Sequence, residues 1–245
     1  EYSFLERFDK AAQSGFRGVE FMFPYDYDID VLKEKLQINQ LEHTLHNLPA
    51  GDWAAGERGI ACIPGREEEF RDGVAAAVRY AKGLGNKKIN CLVGKTPAGF
   101  SAEQIQQTLV ENLRYAANML AKEDILLLIE PINHFDIPGF HLTGTQQALA
   151  LIDSVGCNNI KIQYDIYHMQ RMEGELTQTM TTWANKIGHL QIADNPRRGE
   201  PGTGEINYDF IFKFIDKSGY DGWIGCEYKP LTTTEAGLSW INQYR

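Results

Sequence analysis

The stretch "ILLLIEPIN", Ile125–Asn133, runs through five consecutive apolar residues into a carboxylate at Glu130, and Pro131 follows. A short apolar run bounded by a turn residue is typical of a buried strand. A carboxylate is costly to bury without a partner, so Glu130 at the end of such a strand needs a physical explanation. The stretch therefore predicts a buried strand whose carboxyl end carries a polar group with a defined role.

A repeated unit surrounds this strand along the chain. A helical pattern ends at glycine, a short apolar strand follows, and a polar loop comes next, as in "SGFRGVEFMFP" (14–24) and "SGYDGWIGCEYKP" (218–230). Alternating strands and helices predict a parallel sheet, either a doubly wound sheet or a (β/α)8 TIM barrel. The predicted strands are Gly18–Phe21, Glu42–Asn47, Lys88–Val93, Ile125–Glu130, Ile160–Asp165, Gly188–Ala193 and Trp223–Glu227.

The strand count leaves an eight-stranded barrel one strand short. The chain opens on a helical pattern, "EYSFLERFDKAAQSG", and has no initiator Met. In an α/β barrel each strand is followed by a helix, so a strand should precede this helix. We therefore expect a single TIM-barrel domain over residues 1–245, with the first strand missing from this sequence.

Composition excludes several classes of protein. The net charge of −9 is opposite to the basic surface that nucleic-acid binding requires, so we expect no nucleic-acid partner. No apolar run approaches the roughly 20 residues of a membrane span, and no signal peptide is recognisable. The four cysteines are scattered without a C-x-x-C pair, which favours reduced thiols. We expect a soluble, cytoplasmic protein without a membrane partner, and a homo-oligomer is left open.

Three further predicted strands carry a polar residue at or near their carboxyl ends, as the Glu130 strand does. Asp165, Gln191 and Glu227 follow at separations of 35, 26 and 36 residues, about one strand–helix unit each. The carboxyl ends of barrel strands meet at one mouth, so these side chains should converge. Three carboxylates and one amide supply the oxygen ligands that Mg²⁺ or Mn²⁺ prefers. A bound cation would offset the cost of burying Glu130.

Several longer segments resemble the hydroxypyruvate isomerase family within the wider group of xylose-isomerase-like barrels. They are "EFMFPYDYD", "HNLPAGDWAAGERGIACIPGRE", "LIEPIN", "QYDIYHMQRMEGEL", "HLQIADNPRRGEPGTGEINY" and "GWIGCEYKP". The resemblance implies a TIM barrel with a divalent metal at Glu130, Asp165, Gln191 and Glu227. It also implies that Glu130 and Glu227 transfer protons. Many relatives carry histidine where this chain has Gln191.

The resemblance further implies the interconversion of hydroxypyruvate and tartronate semialdehyde through a metal-stabilised enediolate. A proton leaves the carbon beside a carbonyl, and a proton returns to the neighbouring carbon. The metal acts as a Lewis acid on the developing oxyanion, while two carboxylates serve as base and acid. The order in which Glu130 and Glu227 act stays open.

The small anionic hydroxy-oxo acid substrate needs a cation for its carboxylate. Arg197, six residues after Gln191, is the favoured candidate because arginine binds carboxylates in a bidentate manner. Lys229, two residues after Glu227, and Arg58 are the alternatives.

The remaining candidates are His168, His46, Trp53, Glu20 and His189. We expect His168 to bind a substrate oxygen and His46 to line the pocket. Trp53 would either cover the site or make a subunit contact. A structural role is expected of Glu20, whereas His189 would serve either core packing or support of the metal ligands.

Three rival functions share parts of this pattern. A 2-oxo-tetronate isomerase or a ketose 3-epimerase would use the same metal chemistry on a larger substrate. An abasic-site endonuclease would need many histidines at strand ends and a basic surface, and this chain has six histidines and a charge of −9. A sugar-binding barrel without activity would not need two carboxylates beside a metal.

Overall fold

A computed structural model describes residues 1–244 as a parallel sheet of seven strands, each followed by helical segments. The strands are β1 Gly18–Phe21, β2 Glu42–Asn47, β3 Lys88–Cys91, β4 Leu126–Ile129, β5 Ile160–Asp165, β6 Ile187–Ile192 and β7 Ile224–Cys226. All seven predicted strands are confirmed, with shorter ends at β3, β4 and β7 and with β6 beginning and ending one residue earlier than predicted. They pair in chain order, β1-β2-β3-β4-β5-β6-β7, and curl into a nearly closed TIM barrel.

The helices form a layer outside this barrel. They are α1 Glu6–Gln13, α2 Ile29–Ile38, α3 Glu67–Leu84, α4 Ala102–Ala121, α5 Thr145–Val155, α6 Ile166–Met172, α7 Leu176–Thr182, α8 Tyr208–Ser218 and α9 Thr234–Gly237, with 3₁₀ turns at Ala184–Lys186 and Leu238–Tyr244. Ser101 and Gln104 form a capping box at the start of α4, and the Asn207 side chain caps α8. Gly85 and Gly156 adopt left-handed φ angles of 81° and 70°, which lets α3 and α5 end there. None of the helices within residues 1–244 is long and apolar enough to cross a membrane.

Strand alternation separates an apolar outer face from a polar inner face. In β4, Leu127 and Ile129 belong to the buried cluster that the helices cover. Alternate residues of a strand face opposite sides, so Leu128 and Glu130 point into the barrel. Elsewhere the inner face carries amides and charged groups, and that polar interior builds the candidate site.

The edge strands β1 and β7 are not paired with each other within residues 1–244. Side chains bridge this edge of the sheet: Trp223, directly before β7, donates from Nε1 to Glu42 Oε1 at the start of β2 over 3.0 Å. The Glu20 carboxylate lies where a Cβ on Gly225 would be, so this side chain reaches from β1 to the backbone of β7. Only glycine leaves that space open.

Candidate active site

Asp165 closes β5 and opens α6. It is fully buried, and its Oδ1 accepts the backbone N–H groups of Tyr167 at 2.8 Å and His168 at 3.2 Å. An N-capping aspartate satisfies helix N–H groups that have no partner within the helix. Its second oxygen, Oδ2, is buried without a hydrogen-bond partner among residues 1–244. A buried carboxylate oxygen without a partner indicates a position made for a bound cation or ligand.

Glu130 lies one residue beyond β4 and is 4% exposed. Its Oε2 accepts hydrogen bonds from Asn90 Nδ2 at 3.1 Å and Gln163 Nε2 at 2.9 Å. Burial, together with the neighbouring charges of Glu227 and Asp165, raises the pKa of Glu130 well above its usual range. The site therefore holds a strongly proton-attracting carboxyl group when no cation is bound.

Glu227 follows β7 and contacts a guanidinium. Its Oε1 lies 3.0 Å from Arg198 Nη2, which also lies 3.7 Å from Asp165 Oδ2. Burial raises the pKa of Glu227 to about 7, and Arg198 opposes this increase. Although 41% of the Glu227 side chain is exposed, the group shares its surroundings with other carboxylates. Burial and the like charges of Asp165 and Glu20 together account for the raised pKa of Glu227.

Gln191 lies beside Asp165 in the sheet register, but both ends of its amide are engaged. Its Nε2 donates to Glu20 Oε1 at 2.7 Å, and its Oε1 accepts from Gln163 Nε2 at 2.7 Å. The carboxylate of Glu20 can only accept, so it fixes the orientation of this amide. Gln191 could serve as an oxygen ligand only by giving up the bond to Gln163.

His189 belongs to the same network, because its Nε2 lies 2.6 Å from Glu20 Oε2. Of the two roles left open for His189, this contact favours support of Gln191 through Glu20. Burial opposes ionisation of Glu20, but the charge of His189 and these hydrogen bonds lower its pKa. Glu20 is therefore more than a packing residue, because it anchors the inner face of β6.

His168 lies beside the two buried carboxylates. Its Nε2 is 3.8 Å from Glu130 Oε1 and 3.7 Å from Asp165 Oδ2. Burial lowers the pKa of His168 to about 4, which keeps the ring neutral at physiological pH. Ligand atoms of Glu130, Asp165 and His168 all lie within 4.8 Å of one another.

The structure places the predicted anion-binding residues differently from the expectation. Arg197 is exposed and forms no ion pair among residues 1–244, whereas Arg198 contacts the carboxylates. Arg198 has a φ of 56°, in the left-handed region, and this local turn sets which of the two adjacent side chains enters the site. The exposed Lys229 contributes its backbone N–H to Arg198 O at 2.7 Å. Arg58 stacks 3.9 Å from the centre of the half-buried Trp53 ring.

His46 lies on the outer face of β2 and does not line the barrel interior. It pairs in register with Phe21, which packs among the residues of α1 and α2. Its ring stacks on His43 with a centroid separation of 5.2 Å. Burial lowers the pKa of His46 to about 4, so it is a neutral packing residue. Neighbouring strand residues face opposite sides, and one step along β2 separates His46 from the inward Asn47.

Four site residues escaped the sequence analysis, namely Asn90, Asn133, Gln163 and Arg198. Gln163 carried a usable signal, because it lies two residues before Asp165 and therefore on the same face of β5. Asn90 occupies an inward position of β3 by the same rule. For Asn133 and Arg198 the chain leaves its strand, so no periodicity applies.

The donor set fits a divalent cation. Glu130, Asp165 and Glu227 supply carboxylate oxygens, and the unpartnered Asp165 Oδ2 is available without breaking any hydrogen bond. Among residues 1–244, Arg198 is the cation that contacts Asp165 and Glu227, at the two distances given above. Hard oxygen ligands of this type suit Mg²⁺ or Mn²⁺.

Comparison with known proteins identifies the family. The profile of the xylose isomerase-like TIM barrel family matches residues 8–244. The chain belongs to that family. Within the xylose isomerase-like family, hydroxypyruvate isomerase of Escherichia coli (strain K12) is 84% identical over 245 residues, covering 100% of this chain and 95% of the relative. The 2-oxo-tetronate isomerase of Cupriavidus necator is 45% identical, covering 100% and 94%.

Solved structures of similar proteins agree with this family. The crystal structure of AP endonuclease, family 2, from Brucella melitensis has a TM-score of 0.96 and 45% identity, covering 100% of this chain and 94% of that one. The apo structure of 3-keto-D-glucoside 4-epimerase from E. coli has a TM-score of 0.82 with 20% identity, covering 99% and 97%. The second likeness shows the shared fold alone.

Proposed function

We propose that this protein is a hydroxypyruvate isomerase. The observation that carries the proposal is the 84% identity, over the whole chain, to the E. coli enzyme of that name. The contacts of Asp165 and Glu227 with Arg198, together with Glu130 beside Asp165, support it, because the reaction requires acid–base groups beside an anion-binding position.

The reaction moves hydrogen between neighbouring carbons of one three-carbon acid. A proton leaves the hydroxymethyl carbon of hydroxypyruvate, an enediolate forms, and a proton returns to the carbon that carried the carbonyl, giving tartronate semialdehyde. A divalent ion held by Glu130, Asp165 and Glu227 would supply Lewis-acid stabilisation of the substrate oxygens. Gln191 would join these ligands only through Oε1, and the choice between Mg²⁺ and Mn²⁺ belongs to experiment.

Glu130 and Glu227 are the proposed proton carriers. In the metal-free protein, burial among like charges raises the pKa of Glu227 to about 7 and the pKa of Glu130 well above its usual range. A bound cation would favour the ionised form of both carboxylates, and the ionised form is the one that accepts a proton from the substrate. Their roles exchange with the direction of the reaction.

Arg198 is the proposed partner of the substrate carboxylate, in place of the neighbouring Arg197. Its guanidinium already binds a carboxylate, Glu227, at 3.0 Å, and a planar fork of donors suits a second one. The ring of Tyr167 lies 5.4 Å from the guanidinium carbon and supports one face of it. The stack of Trp53 and Arg58 is the proposed cover that keeps water from the enediolate.

The direct test is turnover of hydroxypyruvate in heavy water, with and without a chelator. Wild-type protein should form tartronate semialdehyde carrying deuterium, and the chelator should stop it. Glu130→Gln and Glu227→Gln should each reduce kcat by about 10²–10⁴-fold. The exposed Glu103→Gln in α4 is a matched control that should keep full activity. Absence of product would refute the function, whereas chelator-resistant turnover would refute only the metal.

A second candidate is a 2-oxo-tetronate isomerase, favoured by the 45% identity to the C. necator enzyme. Its substrate has one more carbon than hydroxypyruvate, and the same carboxylates would carry out the reaction. The ratio of kcat/KM for the two substrates decides between them. A ratio above one for the four-carbon acid would favour this alternative.

A further inference from the structure

We infer that Asn133 is a positioning residue: it holds His168 in the tautomer that carries its proton on Nε2, so that His168 donates a hydrogen bond to a substrate oxygen and does not ligate the metal. The inference rests on the proposed function, because it assigns a task to a ring beside the proposed ligands. It also decides between two readings of the Glu130, Asp165 and His168 cluster, in which the imidazole is either a ligand or a donor.

The orientation of the Asn133 amide is fixed by groups that cannot reverse. Asn133 is fully buried, and its Oδ1 accepts the backbone N–H of Asp136 at 2.8 Å. Its Nδ2 lies 3.1 Å from the Asp136 carboxylate, which can only accept. If the amide were turned over, its NH₂ group would face the backbone N–H of Asp136 and its oxygen would face the Asp136 carboxylate, so neither hydrogen bond could form.

Asp136 is itself held in place. Its Oδ2 accepts from the hydroxyl of Tyr167 at 2.8 Å, and its Oδ1 forms an ion pair with Arg171 at 2.6 Å. These bonds lower the pKa of Asp136 although burial opposes them. Asp136 therefore stays an acceptor, and the Asn133 amide stays oriented.

The tautomer of His168 follows from that orientation. The second hydrogen of Asn133 Nδ2 points at His168 Nδ1 over 2.6 Å, and the backbone N–H of Asn133 also faces Nδ1 at 3.4 Å. A nitrogen that faces two donors must be the acceptor of the ring, so the proton lies on Nε2. A doubly protonated ring would lack this acceptor and would oppose both donors.

The protonated Nε2 lies among the proposed reacting groups. Its separations of 3.8 Å from Glu130 Oε1 and 3.7 Å from Asp165 Oδ2 are longer than hydrogen bonds. A substrate oxygen between these groups would be its acceptor. A nitrogen that carries a proton has no free lone pair for a metal, so His168 stabilises a developing oxyanion as a donor.

Nitrogen-15 NMR of the histidine rings tests this directly, because protonated and unprotonated ring nitrogens give well-separated signals. A His168→Gln spectrum assigns the His168 signals. At pH 8 the wild-type protein should show His168 protonated on Nε2, with and without Mg²⁺. Asn133→Asp replaces the donor by an acceptor of the same shape and should move the proton to Nδ1. His141, whose Nδ1 bonds to Thr96 Oγ1, should be unchanged in every spectrum.

Kinetics supply a readout that a purely structural role would not give. Asn133→Asp, shown to be folded by its thermal unfolding, should lower kcat by about 100-fold while KM changes much less, because the lost bond forms only as charge develops. A wild-type proton on Nδ1, loss of the Nε2 proton on adding Mg²⁺, or an unchanged tautomer in Asn133→Asp would each overturn the inference. Failure of the proposed function appears separately, as wild-type protein that does not turn over hydroxypyruvate.

Discussion

Replacing Arg198 by methionine should destabilise the metal-free protein far more than the metal-loaded protein. The guanidinium lies 3.0 Å from Glu227 Oε1 and 3.7 Å from Asp165 Oδ2. At an effective dielectric constant of about 20, these separations correspond to gross attractions of roughly 5.5 and 4.5 kcal/mol. Methionine keeps the length of the apolar stem and removes the charge.

The net effect is smaller than the gross attraction. Burying Arg198 has its own desolvation cost, and 41% of the Glu227 side chain is exposed to solvent screening. Breaking a fully buried pair costs about 3–5 kcal/mol, so this partly exposed pair should contribute about 2 kcal/mol. With saturating Mg²⁺ the ion supplies the missing positive charge, and the loss should fall below about 1 kcal/mol.

Urea denaturation at pH 8, in EDTA and in saturating Mg²⁺, measures both free energies of unfolding. Arg197→Met is the matched control, because Arg197 is adjacent, exposed and unpaired among residues 1–244, and it should change neither value by more than about 0.5 kcal/mol. Equal destabilisation of Arg198→Met in both conditions would refute the reasoning, as would an unchanged free energy in EDTA.

Three further outcomes are expected. The pKa of Glu227 is raised from 4.5 to about 7, so the folded metal-free protein binds a proton at Glu227 more tightly than the unfolded chain does. The stability that this proton contributes should be lost as pH rises through about 7. Glu227→Gln should flatten the pH dependence of the free energy of unfolding measured in urea. Metal affinity by calorimetry should rise over the same pH range, because the ligands must ionise first. Gly188→Ala should lower the free energy of unfolding in urea by about 1–3 kcal/mol, because the new Cβ would lie 2.7 Å from Leu128 Cδ2. Gly73 lies inside α3, and a Cβ there would lie 3.4 Å from Pro49, so Gly73→Ala should raise the free energy of unfolding by about 0.5–1 kcal/mol.

The sequence predicted the fold well because the relevant signals are local. Apolar runs, glycine helix ends and the polar residue after each strand depend on neighbouring residues alone. The strands therefore agree closely, Glu130 and Asp165 offer oxygen atoms within 4.8 Å of each other, and Asp165 and Glu227 both contact Arg198. The convergence needed only the rule that parallel strands end at one mouth.

The differences arise where one residue of offset decides direction. His46 points outward and Asn47 inward, and the irregular register between β1 and β2 is not visible in the sequence. The choice between Arg197 and Arg198 depends on a left-handed backbone angle in a loop. The engagement of Gln191 depends on Glu20, which lies 171 residues away in the chain.

The amides inside the barrel have a direction. Gln163 gives both hydrogens of its Nε2 away, one to Glu130 and one to Gln191, and Gln191 passes its own to Glu20. Replacing Gln163 or Gln191 by glutamate would put a carboxylate oxygen against the acceptor oxygen to which the amide now donates. Redesign of substrate specificity is therefore better aimed at the loops that follow the strands, where a substitution does not disturb the hydrogen bonds between neighbouring strands.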